Sequence, residues 1–547
     1  MNPSLQKTVP TKRWRKFVFL ITLSVLVVAA ILLAIRFLAA PFSPVNVAAA
    51  AGVSFLLLIL LQPSSAGSGV PRSLGGCPTG IVVTMFAAFT ALAFLPNLRT
   101  PFVCDAYGHV LEASHTTWRI LGDAFAPVHG SHDSFFRPVG FISYWLDYQW
   151  AGVSPIRWHL WNLGVHVVNT CLVYLLVMRL GISRVPAAIA ALVFGLDGSR
   201  AEAVSWTDTR FDLLACFFAL CSLLFVLKFC RDGRRWWLAP VLGCAALAVY
   251  TKESAFCLPL LPLALLPLLP RPQWRRAIAA SVALGLVCAI LFAYRWWALG
   301  GLGGYEDPSG VSIYWRSRPL HTSEAMLFRQ WAFLFFPINW LAPLEWWLRV
   351  AGVSFLAMLV LFGVCERQAT QNDGLSRPDF VGQLLAGPAF VLAAAIPVEH
   401  LLGFQFDFAG ARVLYLPVIG FAIFWAVLVD RSAHRRLAYA TAAVLILFNL
   451  AALEHNLRPW RTTPETAAAV CRGLGSELAK DPRPVFVTGL PDRLDGVYFL
   501  FNGFPECVEM NSGQNAARVY APRGPAVPAG ARRFVWSREA RRLEEIP

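Results

Sequence analysis

Long apolar runs broken by short polar segments dominate the chain. A helix that crosses a membrane needs about 20 largely apolar residues. Thirteen runs answer to that pattern, near 17–39, 46–62, 80–96, 158–178, 185–200, 211–230, 236–250, 254–270, 277–299, 350–365, 381–398, 413–429 and 437–453. The stretch 326–347 is also apolar, but it carries Arg329 and Glu345 and is broken by Pro337 and Pro343. It reads as re-entrant or interfacial. From about Glu454 the pattern changes to mixed charges with many Gly and Pro. There Thr463 to Lys480 predicts a helix, and Val485–Thr488, Val497–Phe501 and Phe534–Trp536 predict short strands between turns. The expected architecture is an all-α polytopic membrane protein with a small C-terminal α/β extracytoplasmic domain. Its expected divisions are 1–79 (basic N-terminus and a membrane hairpin), 80–453 (membrane core with outer loop 97–157) and 454–547.

Composition agrees with this reading. Of 547 residues, 57% are hydrophobic and only 14% are charged, against about 25% charged in an ordinary soluble protein. The net charge of +15 could mean nucleic-acid binding in a soluble protein. Here it reads as positive-inside bias, with no nucleic-acid partner. Lys228, Arg231, Arg234 and Arg235 crowd one short loop and Arg271, Arg275 and Arg276 another, whereas loop 97–157 holds only Arg99, Arg119, Arg137 and Arg157. The bias predicts a cytoplasmic N-terminus, with loop 97–157 and the tail on the opposite side. The run after Lys16 is too long for a cleaved signal sequence and reads as a retained anchor. Most of the twelve cysteines fall in apolar runs as small hydrophobes. Cys471 and Cys507, in the tail, are available to pair in an oxidising space.

Ionisable groups near spans are costly and are functional candidates. Asp105, Arg137, Glu202, Arg210, Asp212, Lys252, Glu253, Glu399, Asp407 and Arg412 all map to one face, at outer span ends or loops. None needs the midplane, where a transporter usually binds its cargo. Loop 97–157 carries Asp105, His109, His115, His129, His132 and then FFRPVG. The histidine spacings match no zinc pattern, so no metal site is predicted. Arg137 precedes an aromatic stretch that reads as an interfacial helix, where an Arg either snorkels to lipid phosphate or binds an anionic group. His159, Asn162, His166 and Asn169 share one helix face, a stripe that in a membrane usually bonds neighbouring helices. Arg210 needs Glu202, Asp212 or a phosphate as partner. Lys252 and Glu253 sit in a very short outer turn, and Arg412 and Tyr415 lie where the chain turns into a span. One Asp with several basic groups beside a bilayer suits transfer of a sugar from a lipid phosphate. The cations would hold the leaving phosphate and the Asp would take the acceptor's proton.

These motifs, in order, are an Asp in the first outer loop, FFRPVGFISYWLD, GVSPIRWHLWNLGVHVVN, EAVSWTDTRFDLL, TKESA and RVLYLPVIG. The series resembles the GT-C glycosyltransferases that use polyprenyl-phosphate sugars, and most nearly the tetratricopeptide-linked transmembrane O-mannosyltransferases and bacterial relatives in the protein O-mannosyltransferase group. The resemblance covers about Ile81 to Trp460. Eleven spans from residue 80 onward are similar in number to that group's architecture. It implies an inverting hexosyltransferase with Asp105 acting on the acceptor and Arg137, Arg210 and Arg412 at donor-phosphate positions. His159, Asn162, His166, Glu202, Lys252 and Glu253 would be supporting polar groups. Relatives often show paired acidic residues; here Ala106 follows Asp105, so the motif supplies neither a carboxylate pair nor a metal site. The repeats of the eukaryotic relatives are missing from this tail.

The expectation is therefore a glycosyltransferase of a bacterial inner (plasma) membrane. It would move a sugar from a polyprenyl-phosphate carrier to a hydroxyl acceptor on protein, glycan or lipid at the extracytoplasmic face, without a cofactor. The rival readings are a transporter or flippase of a lipid-linked sugar, and a catalytically decayed membrane assembly protein.

Overall fold

The structure, a computed structural model, describes residues 79–127, 135–304, 323–372, 377–402, 406–522 and 527–546. The expected spans at 17–39 and 46–62, and His129, His132 and Asp133, lie outside the described residues. The helices that matter here are α1 (Thr79–Phe94), α2 (Ala106–His115), α3 (Pro138–Ala151), α4 (Pro155–Arg179), α5 (Arg184–Leu196), α6 (Arg200–Ser205), α7 (Arg210–Asp232), α8 (Leu238–Thr251) and α9 (Arg271–Leu299). After these come α10 (Trp346–Asn372), α11 (Arg377–Ala395), α12 (Pro417–Arg431), α13 (Arg435–Leu457), α14 (Pro459–Lys480) and α15 (Phe504–Ser512). Among the described residues, six helical segments are long and apolar enough to cross a membrane: Pro155–Arg179, Thr207–Asp232, Arg271–Leu299, Trp346–Glu366, Phe380–Leu401 and Arg435–Lys480. The protein is an integral membrane protein, mostly helical.

The bundle centres on α5. Every residue from Val185 to Leu196 is buried, enclosed by α1, α4, α12 and α13. A helix apolar all round needs that position. Three expected spans, 185–200, 236–250 and 413–429, appear as α5, α8 and α12, each shorter than a full crossing. The run 254–270, expected as a span, is not one helix. It breaks into turns at Glu253–Cys257, Leu261–Ala264 and Leu266–Leu268. Pro259, Pro262, Pro267 and Pro270 explain this, since each lacks an N–H and crowds the preceding turn. The stretch 326–347 is also broken, into Ala325–Arg329 and Gln330–Phe335.

The boundary expected at Glu454 falls inside a helical rod. α13 and α14 follow end to end with only Arg458 between them, and Arg458 is itself helical. Pro459 does not interrupt the rod because it takes the first turn of α14, where no N–H is needed. The strands are β1 (Val485–Thr488), β2 (Arg493–Leu494), β3 (Val497–Tyr498), β4 (Val519–Tyr520), β5 (Arg532–Ser537) and β6 (Arg542–Ile546). Four form a sheet in the order β4-β1-β5-β6. β1 runs parallel to β4 and β5, with Val485 opposite Arg532, and β6 is antiparallel to β5. The strand expected over Val497–Phe501 stops at Tyr498, because the chain turns there towards α15. This region does not have a core to itself. Val485, Val487, Phe534 and Trp536 belong to one cluster with Phe102, Ala106, Tyr107 and Trp158 from loop 97–157 and α4.

Cys471 on α14 and Cys507 on α15 form a disulfide, with Cα atoms 5.9 Å apart. The bridge restricts the unfolded chain and is expected to contribute about 2–4 kcal/mol. Thermal unfolding of the purified protein should therefore shift downward with reductant. Neither cysteine should take up a thiol label without it. Labelling at both positions in the unreduced protein would show that the bridge does not form.

Candidate functional site

Six of the ionisable residues assigned to one face by sequence pair with one another in the structure, and a seventh, Asp407, pairs with the C-terminal region. Arg412 pairs with Glu202, Lys252 with Asp212, Arg137 with Glu253 and Arg493 with Asp407. Loop 97–157, the turn after α6, the turn after α8 and the approach to α12 thus converge with the C-terminal region.

Asp105 immediately precedes α2. Although it stands at the N-cap, its side chain makes no capping hydrogen bond, so the carboxylate is turned to other uses. Cys104 before it holds φ of 53°, a left-handed conformation that costs a non-glycine residue roughly 1–2 kcal/mol. One turn along α2, His109 Nδ1 lies 3.0 Å from Asp208 Oδ1. Tyr144 of α3 donates to the same oxygen at 3.2 Å and stacks on the His109 ring at 5.1 Å. Asp208 Oδ2 is buried and without a hydrogen-bond partner among the described residues.

Burial pushes the Asp105 carboxyl above its ordinary value and the charge of Asp208 adds to this, while a hydrogen bond from Asn502 and the charges of His109 and Arg412 oppose it. Burial lowers the His109 value, but Asp208, as charge and as hydrogen-bond acceptor, overcomes it. With Asp105 and Glu112 adding to the pull, His109 rises to about 9. The cluster is a carboxylate of raised proton affinity, beside a second carboxylate and an imidazolium.

A basic cluster lies beyond an aromatic wall. Arg137 donates through Nε to Glu253 at 2.9 Å and rests over the rings of Phe135 and Phe211 at 4.2 and 5.2 Å. Phe211 also meets Tyr144 at 5.1 Å and Phe141 at 5.6 Å. Gly140 permits this contact, since a Cβ there would stand 2.1 Å from the Phe211 ring. Arg295, buried near the end of α9, lies within the field of Arg137 and Glu253. It joins a group of cations that also includes Lys252.

Other expected residues have structural places. Arg210 is fully buried and pairs with Asp147, not with the expected Glu202, Asp212 or a phosphate; its Nε donates to Asn162 at 2.5 Å. A guanidinium so enclosed presents no free edge to a ligand. The polar stripe on α4 joins neighbouring segments. His159 Nε2 lies 3.2 Å from the Thr100 carbonyl, and Asn162 donates to Trp206 at 3.0 Å. His166 Nδ1 lies 2.7 Å from the Tyr415 hydroxyl, and Asn169 donates to Leu213 at 2.9 Å. Lys252 is buried, 2.6 Å from both oxygens of Asp212. Among the described residues no group of three or more His, Cys, Asp or Glu could hold a metal ion.

Sequence reasoning passed over Asp208, Tyr144, Arg295 and Asn502. Asp208 stands inside the quoted EAVSWTDTRFDLL motif, and the one signal for it was a third acidic residue there. Its partner His109 is 99 positions away.

No family model matches the chain. Curated relatives do. The protein O-mannosyl-transferase Tmtc1 of Drosophila melanogaster is 35% identical over 184 residues, 31% of this chain and 21% of that protein. A protein O-mannosyl-transferase of Caenorhabditis elegans is 24% identical over 349 residues, 61% of this chain and 48% of that one. The chain is similar in sequence to protein O-mannosyl-transferases. This is the group that the motifs resemble. The chain spans about a fifth to a half of the length of these two relatives. A solved structure of ArnT from Cupriavidus metallidurans bound to undecaprenyl phosphate overlaps loosely, with a TM-score of 0.35 at 14% identity over 85% of this chain and 94% of that one.

Proposed function

We propose that the protein is a membrane glycosyltransferase that moves a sugar from a polyprenyl-phosphate carrier to a hydroxyl acceptor at the extracytoplasmic face, with inversion. The observation that carries this reading is the half-buried Asp105 carboxylate beside Asp208 and His109, on a face shared with Arg137, Arg295 and Arg412. The acceptor oxygen attacks the anomeric carbon as the bond from that carbon to the phosphate oxygen breaks. The acceptor's proton passes to Asp105 and polyprenyl phosphate leaves. His109 and Tyr144 hold Asp208 in place. The Asp208 charge adds to the Asp105 proton affinity, the direction a base needs. Arg137 and Arg295 steady the growing charge on the phosphate. Arg412, paired with Glu202 and lying over Trp206 and Tyr498, borders the carboxylate side. Similarity to protein O-mannosyl-transferases makes mannose and a protein hydroxyl the first pair to test.

The purified protein, given radiolabelled polyprenyl-phosphate mannose and an acceptor protein mixture, should release polyprenyl phosphate and label protein. Movement of the lipid-linked sugar across a vesicle membrane with no release would establish the flippase instead.

We further propose eleven crossings from residue 80 onward, with the broken run 254–270 counted as one, and two more before it. Loop 97–157 and the tail then face outward. Reporter fusions after Gly130 and after Gly530 should both give the extracytoplasmic signal. Opposite signals would break the thirteen-span arrangement.

A further inference from the structure

The C-terminal region reaches into the carboxylate cluster. The turn Leu500–Gly503, between β3 and α15, lies against the backbone that carries Asp105. Gly503 holds φ of 69°, and a Cβ built on it would stand 2.4 Å from the Cys104 carbonyl oxygen. A backbone approach this close is open to glycine alone. On the other side of the contact Cys104 is itself left-handed. Two left-handed backbone positions, one from each segment, thus meet at the residue before Asp105. Behind the turn, Leu500 and Phe504 share a core with Phe102, Ala106 and Tyr107. The Cys471–Cys507 bridge ties α15 to α14.

We propose that this turn is a clamp that completes the acceptor-side site, with Asn502 as the residue that positions the Asp105 carboxylate. This deepens the glycosyltransferase reading and rests on it. A left-handed residue persists only where its surroundings over-determine it, and the surroundings of Cys104 include the C-terminal turn. The Asn502 side-chain amide, next to Gly503 in this turn, stands beside the Asp105 carboxylate and favours its ionised form. An amide donor fixes one carboxylate oxygen without adding charge and leaves the other for the acceptor's proton. The remaining groups that face Asp105 are Asp208 from the turn after α6, His109 from α2, Tyr144 from α3, Arg412 from the turn before α12, and the Cys104 thiol.

The sign of the coupling makes the clamp testable without turnover. A hydrogen bond to the ionised form favours that form, so losing it moves the Asp105 midpoint upward. Aspartate at 502 loses the donor and adds a like charge, so it moves the midpoint further. The full-length protein in detergent is reacted with a water-soluble carbodiimide, which adds to protonated carboxyls, across about pH 4 to 8. Peptide mass spectrometry then reads the modified fraction of Asp105, with exposed Asp123 as internal reference. The expected result is a midpoint raised by roughly half a unit to one unit in Asn502→Ala and by more in Asn502→Asp, with Asp123 unmoved. Asn502 is exposed, so both variants should fold, and retention of the disulfide on a non-reducing gel checks that they do. An Asp105 midpoint unmoved in both variants would overturn the clamp, whether or not Asp105 is the base. Retained activity in Asp105→Asn would remove the base while leaving this chemical readout intact.

Discussion

Asp105→Asn is expected to fold, insert and bind the lipid donor, yet lose at least about a hundredfold in transfer rate. An acceptor hydroxyl keeps its proton far above neutral pH. It attacks poorly unless its proton is removed as the bond forms, and a positioned base contributes roughly 10²–10⁴-fold. Asparagine keeps the size and the hydrogen bonding but cannot take the proton. The structure supplies a sharper companion. In Asp208→Asn the charge that helps raise Asp105 disappears and His109 loses its main partner. Asp105 then ionises at lower pH, so the acid limb of kcat/KM should move down in pH while the rate on the plateau falls with the weaker base. Asp123, exposed near the end of a single helical turn, should be silent when changed to Asn. Near wild-type transfer by Asp105→Asn would end the base assignment. If Asp105→Asn and Asp208→Asn both transfer normally, the transferase reading itself fails.

The membrane character and most of the long helices were legible because hydrophobicity is local and a crossing imposes a length. α4, α7, α9 and α10 carry that length in their own residues. The single face of charge was legible for a related reason, since parity of crossings and basic loops fixes which ends lie together. Partner choice was not legible. Arg210 stands two residues from Asp212 in the chain, yet it pairs with Asp147 of α3, while Asp212 turns to Lys252. The first choice depends on how α3 lies against α7 and the second on how the turn after α8 meets α7, which no local pattern states. The second carboxylate was missed for the same reason. A pair was sought next to Asp105 in sequence, and the structure places Asp208 near it from another loop. The run 254–270 shows the opposite failure, in which apolar content outweighed four prolines that forbid a regular helix.

Arg137→Ala is expected to lower kcat/KM for the donor by about 2–4 kcal/mol of transition-state stabilisation, the range for one lost electrostatic stabiliser. Lysine should recover only part, because a point charge replaces a planar fork that suits phosphate oxygens. The ion pair with Glu253 complicates the test and also sharpens it. Burial works against the Glu253 charge, but Arg137 overcomes this and holds the carboxyl well below its usual range. Alanine at 137 therefore leaves a half-buried carboxylate without its main counter-charge, which alone can destabilise the turn and repel a phosphate. Adding Glu253→Gln removes that charge. If the loss came from the orphaned carboxylate, the double variant should regain most of the rate and the melting temperature. If Arg137 meets the phosphate, the double variant should regain melting temperature but stay slow, because Lys252 supplies only a point charge and the Arg295 guanidinium already donates to the Leu302 carbonyl. Unchanged turnover in Arg137→Ala at normal expression would return this arginine to the lipid headgroups, and Arg295 would become the first phosphate ligand to test.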